Sequence, residues 1–260
     1  MSNDLKTTIN GKILEITLER GKANAIDVNT SIAMGEVFAE FNHDPDLRVA
    51  ILTGGGERFF SAGWDLKAAA EGESYDAWYG VGGFGGISEM HDMSKPVIAA
   101  INGMACGGGF ELALAADMMI AVDYAEFWAP EIFAGLMGDS GCFRLPCRIP
   151  RAIAMEMLLT GRRMGAEEAY RWGLVNAVVP SSKLMDTARE YAELMVSAAP
   201  LSLAATKETV RLTETASMKE CYAMMKNNGL PAFDRMLASE DAQEGPRAFT
   251  EKRDPVWKGR

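Results

Sequence analysis

The sequence predicts an α/β fold with a largely parallel sheet, followed by a helical C-terminal region. Three observations carry this: β-rich runs alternate with helix-periodic segments in the first part of the chain, several of the strands are uniformly apolar, and from about residue 183 the pattern turns almost wholly helical. Uniformly apolar strands are those covered on both faces, as helices crossing over a parallel sheet would cover them.

Taken in order, residues 12–18 half-alternate and read as a strand, and residues 31–42 place apolar side chains at helical spacing. Residues 49–53 form a buried strand ended by three glycines at 54–56. The order then repeats. Residues 96–101 read as a buried strand, Asn102-Gly103 as a turn, and 110–116 as a helix opened by Gly107-Gly108-Gly109, before the strand at 118–122. Downstream, residues 184–199, 201–213 and 218–228 are amphipathic segments broken near Pro200 and at 229–231. The domain expectation is a core over 1–200 and a helical region over 201–260. Periodicity does not fix how the sheet winds, and no fixed-period repeat suggests a solenoid.

A chain of 260 residues with 48% apolar composition buries a full core without staples. Cys106, Cys142, Cys147 and Cys221 show neither CxxC spacing nor a disulfide-scaffold pattern, so reduced thiols in the cytoplasm are expected. The polar first residues lack the apolar stretch of a secretory signal, and no apolar run is long enough to cross a bilayer. A net charge of −10 and a pI near 4.9 argue against broad binding to nucleic acid or an anionic membrane.

The segment 80–86 is dense in glycine and follows Tyr75, Trp78 and Tyr79. It reads either as a mobile surface loop or as a lid over a ligand. Gly138-Asp139-Ser140-Gly141 imitates a serine-nucleophile loop, but only His43 and His91 exist and neither lies in a setting that suits a catalytic base. The glycine runs match neither a dinucleotide fingerprint nor a P-loop. Metal-ligand spacing is absent from the sequence.

Acid/base work therefore falls to carboxylates. Glu111 lies in the first turn of an apolar helix, three residues after Gly108, so that its side chain and a free helix N-terminal N–H can point into one space suited to an oxyanion. Glu131 follows Pro130 in an apolar neighbourhood, where burial would raise its pKa. The alternative role for Glu111 is a helix cap, and neither glutamate is decisive by itself.

Three blocks carry a resemblance: Phe60-Ser-Ala-Gly-Trp-Asp-Leu-Lys67, the stretch from Lys95 through Asn102-Gly103 and Gly107-Gly-Gly-Phe-Glu111 to Asp117, and Pro130-Glu131-Ile132. With the tail around 239–253 they make the chain resemble the enoyl-CoA hydratase/isomerase (crotonase) superfamily over essentially its whole length. The resemblance implies a crotonase-like spiral of ββα units with a C-terminal helical region, assembled as a homotrimer or dimer of trimers. It implies an oxyanion hole made by the N–H groups of Ala62 and Gly108, with Glu111 and Glu131 as the two catalytic acids of a hydro-lyase. Possession of both acids favours addition or elimination of water over other reactions of the family, with Glu131 on the α-proton and Glu111 on the water.

A narrower set of blocks, at 23–27, 61–73, 161–169 and 251–260, resembles members of that family that dehydrate a hydroxyacyl-CoA bearing a trimethylammonium group. Such a cation is held by aromatic faces and negative charge; Trp64, Trp78, Tyr79, Phe84, Trp128 and Asp139 are the candidates, with core packing the competing role for each ring. The resemblance places coenzyme A, as part of the substrate and not as a resident cofactor, along Ala23, Asn24, Ala25 and the loop Ala62, Gly63, Trp64, Asp65, Leu66; Lys22, Lys67 and Lys258 are candidate phosphate partners, with solvated surface charge the competing role. One departure stands out: Gly138 and Cys142 occupy positions where hydratases commonly carry proline and glycine. A general short-chain enoyl-CoA hydratase, or a non-catalytic or RNA-binding relative, are the competing readings.

Overall fold

The computed structural model describes residues 4–260. Its first half runs β1 (Leu5–Asn10), β2 (Ile13–Leu18), β3 (Ala25–Ile26), α1 (Val28–His43), β4 (Val49–Gly54), β5 (Phe59–Ser61), β6 (Gly63–Trp64) and α2 (Leu66–Ala70). There follow β7 (Val97–Ile101), β8 (Met104–Cys106), α3 (Gly108–Ala115), β9 (Met118–Val122), β10 (Glu126–Trp128), α4 (Ser140–Arg148) and α5 (Arg151–Thr160). The remainder is β11 (Arg163–Gly165), α6 (Ala166–Arg171), β12 (Ala177–Val179), α7 (Leu184–Val196), α8 (Pro200–Thr213), α9 (Met218–Lys226), α10 (Pro231–Leu237) and α11 (Glu240–Glu251).

The main sheet has the order β1-β2-β4-β7-β9-β12. Only the β1–β2 hairpin is antiparallel; every other pair in this sheet is parallel. That is the largely parallel α/β sheet expected from the apolar strands at 49–53, 96–101 and 118–122. A second sheet, β11-β10-β8-β5, and the short β3–β6 pair stand against it. Of the main-sheet strands, β4, β7 and β9 are each followed by a short strand of the second sheet and then by a helix, which is the spiral of ββα units.

The core lies between these layers and is closed by α1, α3 and α7. Phe38 and Phe41 of α1, Phe110 of α3 and Phe127 of β10 are buried with Ile13, Ile16, Ile51 and Leu52 of the sheet. Leu184, Ala188 and Ala192 of α7 belong to the same cluster, whereas the buried residues of α8, α10 and α11 lie outside it. No helix among the described residues is long and apolar enough to cross a membrane.

The glycine-rich segment 80–86 is largely packed into the body of the protein and does not lie loose on its surface. Gly82, Gly83, Gly85 and Gly86 are buried, and the Gly85 N–H donates to Ser31 Oγ at 3.1 Å. Gly86 has φ +80, and a Cβ there would stand 2.6 Å from the Met34 carbonyl carbon, so the glycines let this segment pack directly on α1. Composition suggested mobility; close backbone packing is the reason for it.

Candidate active site

Two parallel strands of the second sheet deliver the two acids to one place. β8 and β10 pair with Trp128 opposite Cys106, and the Gly107 N–H donates to the Trp128 carbonyl at 2.8 Å. β8 leads through Gly107 into α3, whose first turn holds Glu111; β10 leads through Pro130 into the 3₁₀ turn Glu131–Ala134. Gly107 adopts φ +55, and a Cβ on it would lie 3.3 Å from Glu131 Oε1, so the turn that starts α3 also backs onto the second acid.

Glu111 is 7% exposed, and its Oε1 accepts the Gly141 N–H from the start of α4 at 2.7 Å. Burial, followed by the negative charge of Asp139, pushes its carboxyl up to about 8, against the lowering effect of the Gly141 N–H. It therefore carries a proton at neutral pH. Half-buried Glu131 is also raised, first by burial and further by Asp139, while its own backbone N–H opposes the shift. Asp139 is exposed, caps α4 through the Ser140 N–H, and adds charge beside both glutamates.

The oxyanion pair departs from expectation at one position. Ala62 does not offer its N–H: that group donates to the Ala23 carbonyl at 2.9 Å. In the parallel β3–β6 pair, Ile26 stands opposite Trp64 and the Asp65 N–H donates to the Ile26 carbonyl at 2.9 Å. The left-handed Gly63 (φ +81) breaks the alternation after Ala62, and counted back from Asp65 the Trp64 N–H points away from β3. Gly63 (φ +81) presses that edge onto α3, since a Cβ there would be 2.6 Å from the Gly108 nitrogen. Gly108 heads α3, where first-turn N–H groups lack acceptors within the helix. Trp64 and Gly108, not Ala62 and Gly108, are the donors the geometry brings together.

The aromatic candidates separate in the same way. The Trp64 indole N–H donates to Glu73 Oε1 at 2.8 Å, and its ring meets the edge of Tyr75 with centroids 5.6 Å apart. Tyr79 packs edge-on against Phe84 at 5.4 Å, and Phe84 lies against the bare α-carbon of Gly108. Trp78 is 71% exposed and is not part of the cluster. Trp128 is committed elsewhere, with its indole N–H on the Gly161 carbonyl at 2.7 Å and the Arg163 guanidinium 4.4 Å over its ring.

Tyr75 is the site residue that sequence reasoning left out of the pocket. Its hydroxyl donates to the Met137 carbonyl at 2.9 Å, and its pKa is raised by burial and then by Asp139, Glu111 and Glu131, which it faces. The aromatic cluster around 75–79 was the available signal, but an irregular segment has no period that says which ring turns inward. Cys142 also borders the acids: burial raises its thiol, and Glu111, Glu131 and Asp139 raise it further.

Of the coenzyme A candidates, Ala23, Asn24 and Ala25 are brought alongside Gly63, Trp64, Asp65 and Leu66 by the β3–β6 pairing, with Lys22 and Lys67 exposed at the same edge. Two of these side chains are spent on structure. Asn24, φ +49 and buried, donates to the Gly55 and Phe59 carbonyls at 2.9 and 3.0 Å. Asp65 accepts from Arg20 at 2.6 Å, and Arg20 also holds Asp27 at 2.6 Å. Lys258 does not join them within the chain. Its Nζ pairs with Glu240 at 2.6 Å, and the adjoining Gly259 packs near Arg48 and Pro200, at the opposite end of β4 from the site.

A family model described as enoyl-CoA hydratase/isomerase matches residues 8–260. The chain is 60% identical to a carnitinyl-CoA dehydratase of Salmonella paratyphi A and to one of Salmonella agona, each over the full length of both proteins. Among solved structures it resembles an enoyl-CoA hydratase from Mycobacterium tuberculosis H37Rv, with TM-score 0.90, 39% identity and 99% of both chains covered. An enoyl-CoA hydratase from Mycobacterium marinum has TM-score 0.90 and 38% identity, again over 99% of both chains.

Proposed function

The chain belongs to the enoyl-CoA hydratase/isomerase family, and from that premise we propose that it interconverts carnitinyl-CoA and crotonobetainyl-CoA by reversible loss and addition of water. The observation that carries this reading is the convergence of a protonated Glu111, a second acid Glu131, and an additional carboxylate, Asp139, beside the Tyr75 and Trp64 rings. Elimination needs a base for the α-proton and an acid for the departing hydroxide. Glu131 takes the proton from the α-carbon. Glu111, whose proton is retained to about pH 8, gives it to the leaving hydroxyl. Charge gathers on the thioester oxygen, where the Trp64 and Gly108 N–H groups stabilise it without reorganisation. Hydration runs the same steps backward, with the roles of the two carboxyls exchanged.

The acids also supply the negative field that a quaternary ammonium seeks, and such a group accepts aromatic faces because it cannot donate hydrogen bonds. Asp139, with Tyr75 and Trp64, supports the cationic acyl group over an unsubstituted chain. Coenzyme A enters as part of the substrate along residues 22–25 and 63–67. The same reading has the enzyme working in the cytoplasm as a homotrimer or dimer of trimers, with exposed Phe133, Phe143 and Leu159 as contact surface; light scattering on the purified protein checks the assembly.

The test is the rate of absorbance change with crotonobetainyl-CoA and with crotonyl-CoA, for the parent enzyme and for Glu111→Ala and Glu131→Ala. The expected result is preference for the charged substrate and loss of turnover in both variants. Equal or better use of crotonyl-CoA would leave a general hydratase in its place.

A further inference from the structure

Glu73 follows Trp64 by nine residues, and α2 brings it back beside that ring. The N–H groups of Glu71 and Glu73 donate to the Lys67 and Ala68 carbonyls at 3.0 and 2.9 Å, so the turn that ends α2 carries the Glu73 side chain to a set place. Its two oxygens go to two different segments. Oε1 accepts the Trp64 indole N–H at 2.8 Å, and Oε2 accepts the N–H of Val28, the first residue of α1, at 3.0 Å.

Neither α1 nor the β3–β6 pair depends on Glu73 for its own closure. Asp27 caps α1 by accepting the Thr30 N–H at 2.8 Å, and Arg20 ties Asp27 to Asp65 across the strand pair with a 2.6 Å bond to each. What Glu73 adds is the direction of the indole. The ring so held meets Tyr75 edge-on, with centroids 5.6 Å apart and planes at 78°, and the Tyr75 hydroxyl is anchored on the Met137 carbonyl at 2.9 Å. A line of contacts therefore runs from the start of α1 through Glu73, Trp64 and Tyr75 to the segment after Glu131. Backbone groups anchor it at both ends, and it passes beside the acids that Tyr75 faces.

We infer that Glu73 is a positioning residue for substrate selection: by holding the Trp64 indole it keeps the Trp64–Tyr75 pair as a fixed wall for the part of the acyl chain beyond the reacting carbons. An indole without its acceptor samples other rotamers, and the edge-on contact with Tyr75 is lost with it. The inference rests on the substrate reading above for the identity of the acyl terminus. The wall itself acts through shape, so a neutral group of equal bulk meets it too, while the short crotonyl chain reaches it least.

The experiment compares kcat/KM for crotonyl-CoA, crotonobetainyl-CoA and the neutral isostere 5,5-dimethylhex-2-enoyl-CoA in the parent enzyme, Glu73→Ala and Glu73→Gln. It repeats Glu73→Ala in a Trp64→Phe background, which keeps the backbone N–H and removes the indole N–H. For Glu73→Ala the expected loss on both bulky substrates is about tenfold greater than on crotonyl-CoA. Glu73→Gln, whose amide oxygen still accepts the indole N–H, recovers most of that difference, and Glu73→Ala adds little in the Trp64→Phe background. Unchanged ratios among the three substrates, or a full selective loss that persists in the Trp64→Phe background, would overturn the inference and leave Glu73 as a support for α1. A loss confined to the cationic substrate and shared by Glu73→Gln would overturn it in favour of a charge effect. A parent enzyme that treats crotonobetainyl-CoA and the isostere alike would sink the carnitinyl reading, while the ratio of isostere to crotonyl-CoA still decides the role of Glu73.

Discussion

The Ala62 N–H donates to the Ala23 carbonyl at 2.9 Å, and this one bond moves the proposed oxyanion donor two residues along the chain. An N–H already paired inside the protein has nothing left for a developing charge. The Trp64 N–H, facing the α3 N-terminus, has. Replacing Trp64 by its α-hydroxy acid analogue keeps the indole and deletes the N–H. The expected outcome is a kcat lower by roughly 10²–10³, with KM little changed. The same exchange at Ala62 weakens the β3 contact and is expected to lower thermal stability more than kcat.

In the proposed mechanism Glu111 and Glu131 act on the hydroxyl and the α-proton respectively, so neither substitutes for the other. Glu111→Gln keeps the shape and loses the titrating proton; kcat in both directions falls by on the order of 10²–10⁴. In the parent enzyme the dehydration rate declines as pH rises through about 8, where Glu111 gives up its proton. A dehydration profile flat from pH 7 to 9 would remove Glu111 from the role of acid.

The same buried carboxyl ties stability to pH. Its pKa is raised from 4.5 to about 8 in the folded state, so the unfolded chain ionises first as pH rises. Below about 4.5 both states hold the proton and the effect vanishes; between 4.5 and about 8 the fold loses stability relative to the unfolded chain. At about 1.4 kcal/mol per unit this reaches several kcal/mol as an upper bound. Glu111→Gln has no such proton to lose, and is expected to raise the melting temperature at pH 8 while changing it little at pH 4.5.

Asp139 pushes the Glu111 carboxyl upward through its charge. Asp139→Asn is therefore expected to shift the upper pH limit of dehydration to lower pH. It also lowers selectivity for crotonobetainyl-CoA over its neutral isostere, by about 1 kcal/mol or less, the scale of a solvent-screened charge pair. Unchanged selectivity would show that the charge of Asp139 is not felt by the acyl terminus.

Tyr75 and Trp78 lie three residues apart, and the structure gives them opposite outcomes. Tyr75→Leu removes a ring that faces the acids and is expected to cut the preference for the cationic substrate several-fold, within the range of a cation–π contact. Trp78→Leu, at a ring that is 71% exposed, is expected to leave that preference alone. Both are read from the ratio of kcat/KM values for the same pair of substrates.

The alternation of strands and helices, the apolar strands at 49–53, 96–101 and 118–122, and the helical run from 184 were determined by the sequence alone, because each depends on periodicity within a short window. So was the joining of a glycine-opened helix to Glu111, since three residues of one helix settle it. What lay beyond the sequence depends on contacts between distant segments. β5 pairs with β8 through a register shift between Phe59 and Ser61, and after such a bulge counting residues no longer says which N–H faces the site. Only the folded chain could choose Trp64 over Ala62. Only it could set Asp139 beside Glu111, bring Tyr75 near the acids while leaving Trp78 in solvent, and press the glycines at 80–86 onto α1. Short-range pattern fixes which elements form; long-range pairing and steric fit decide which of their groups meet.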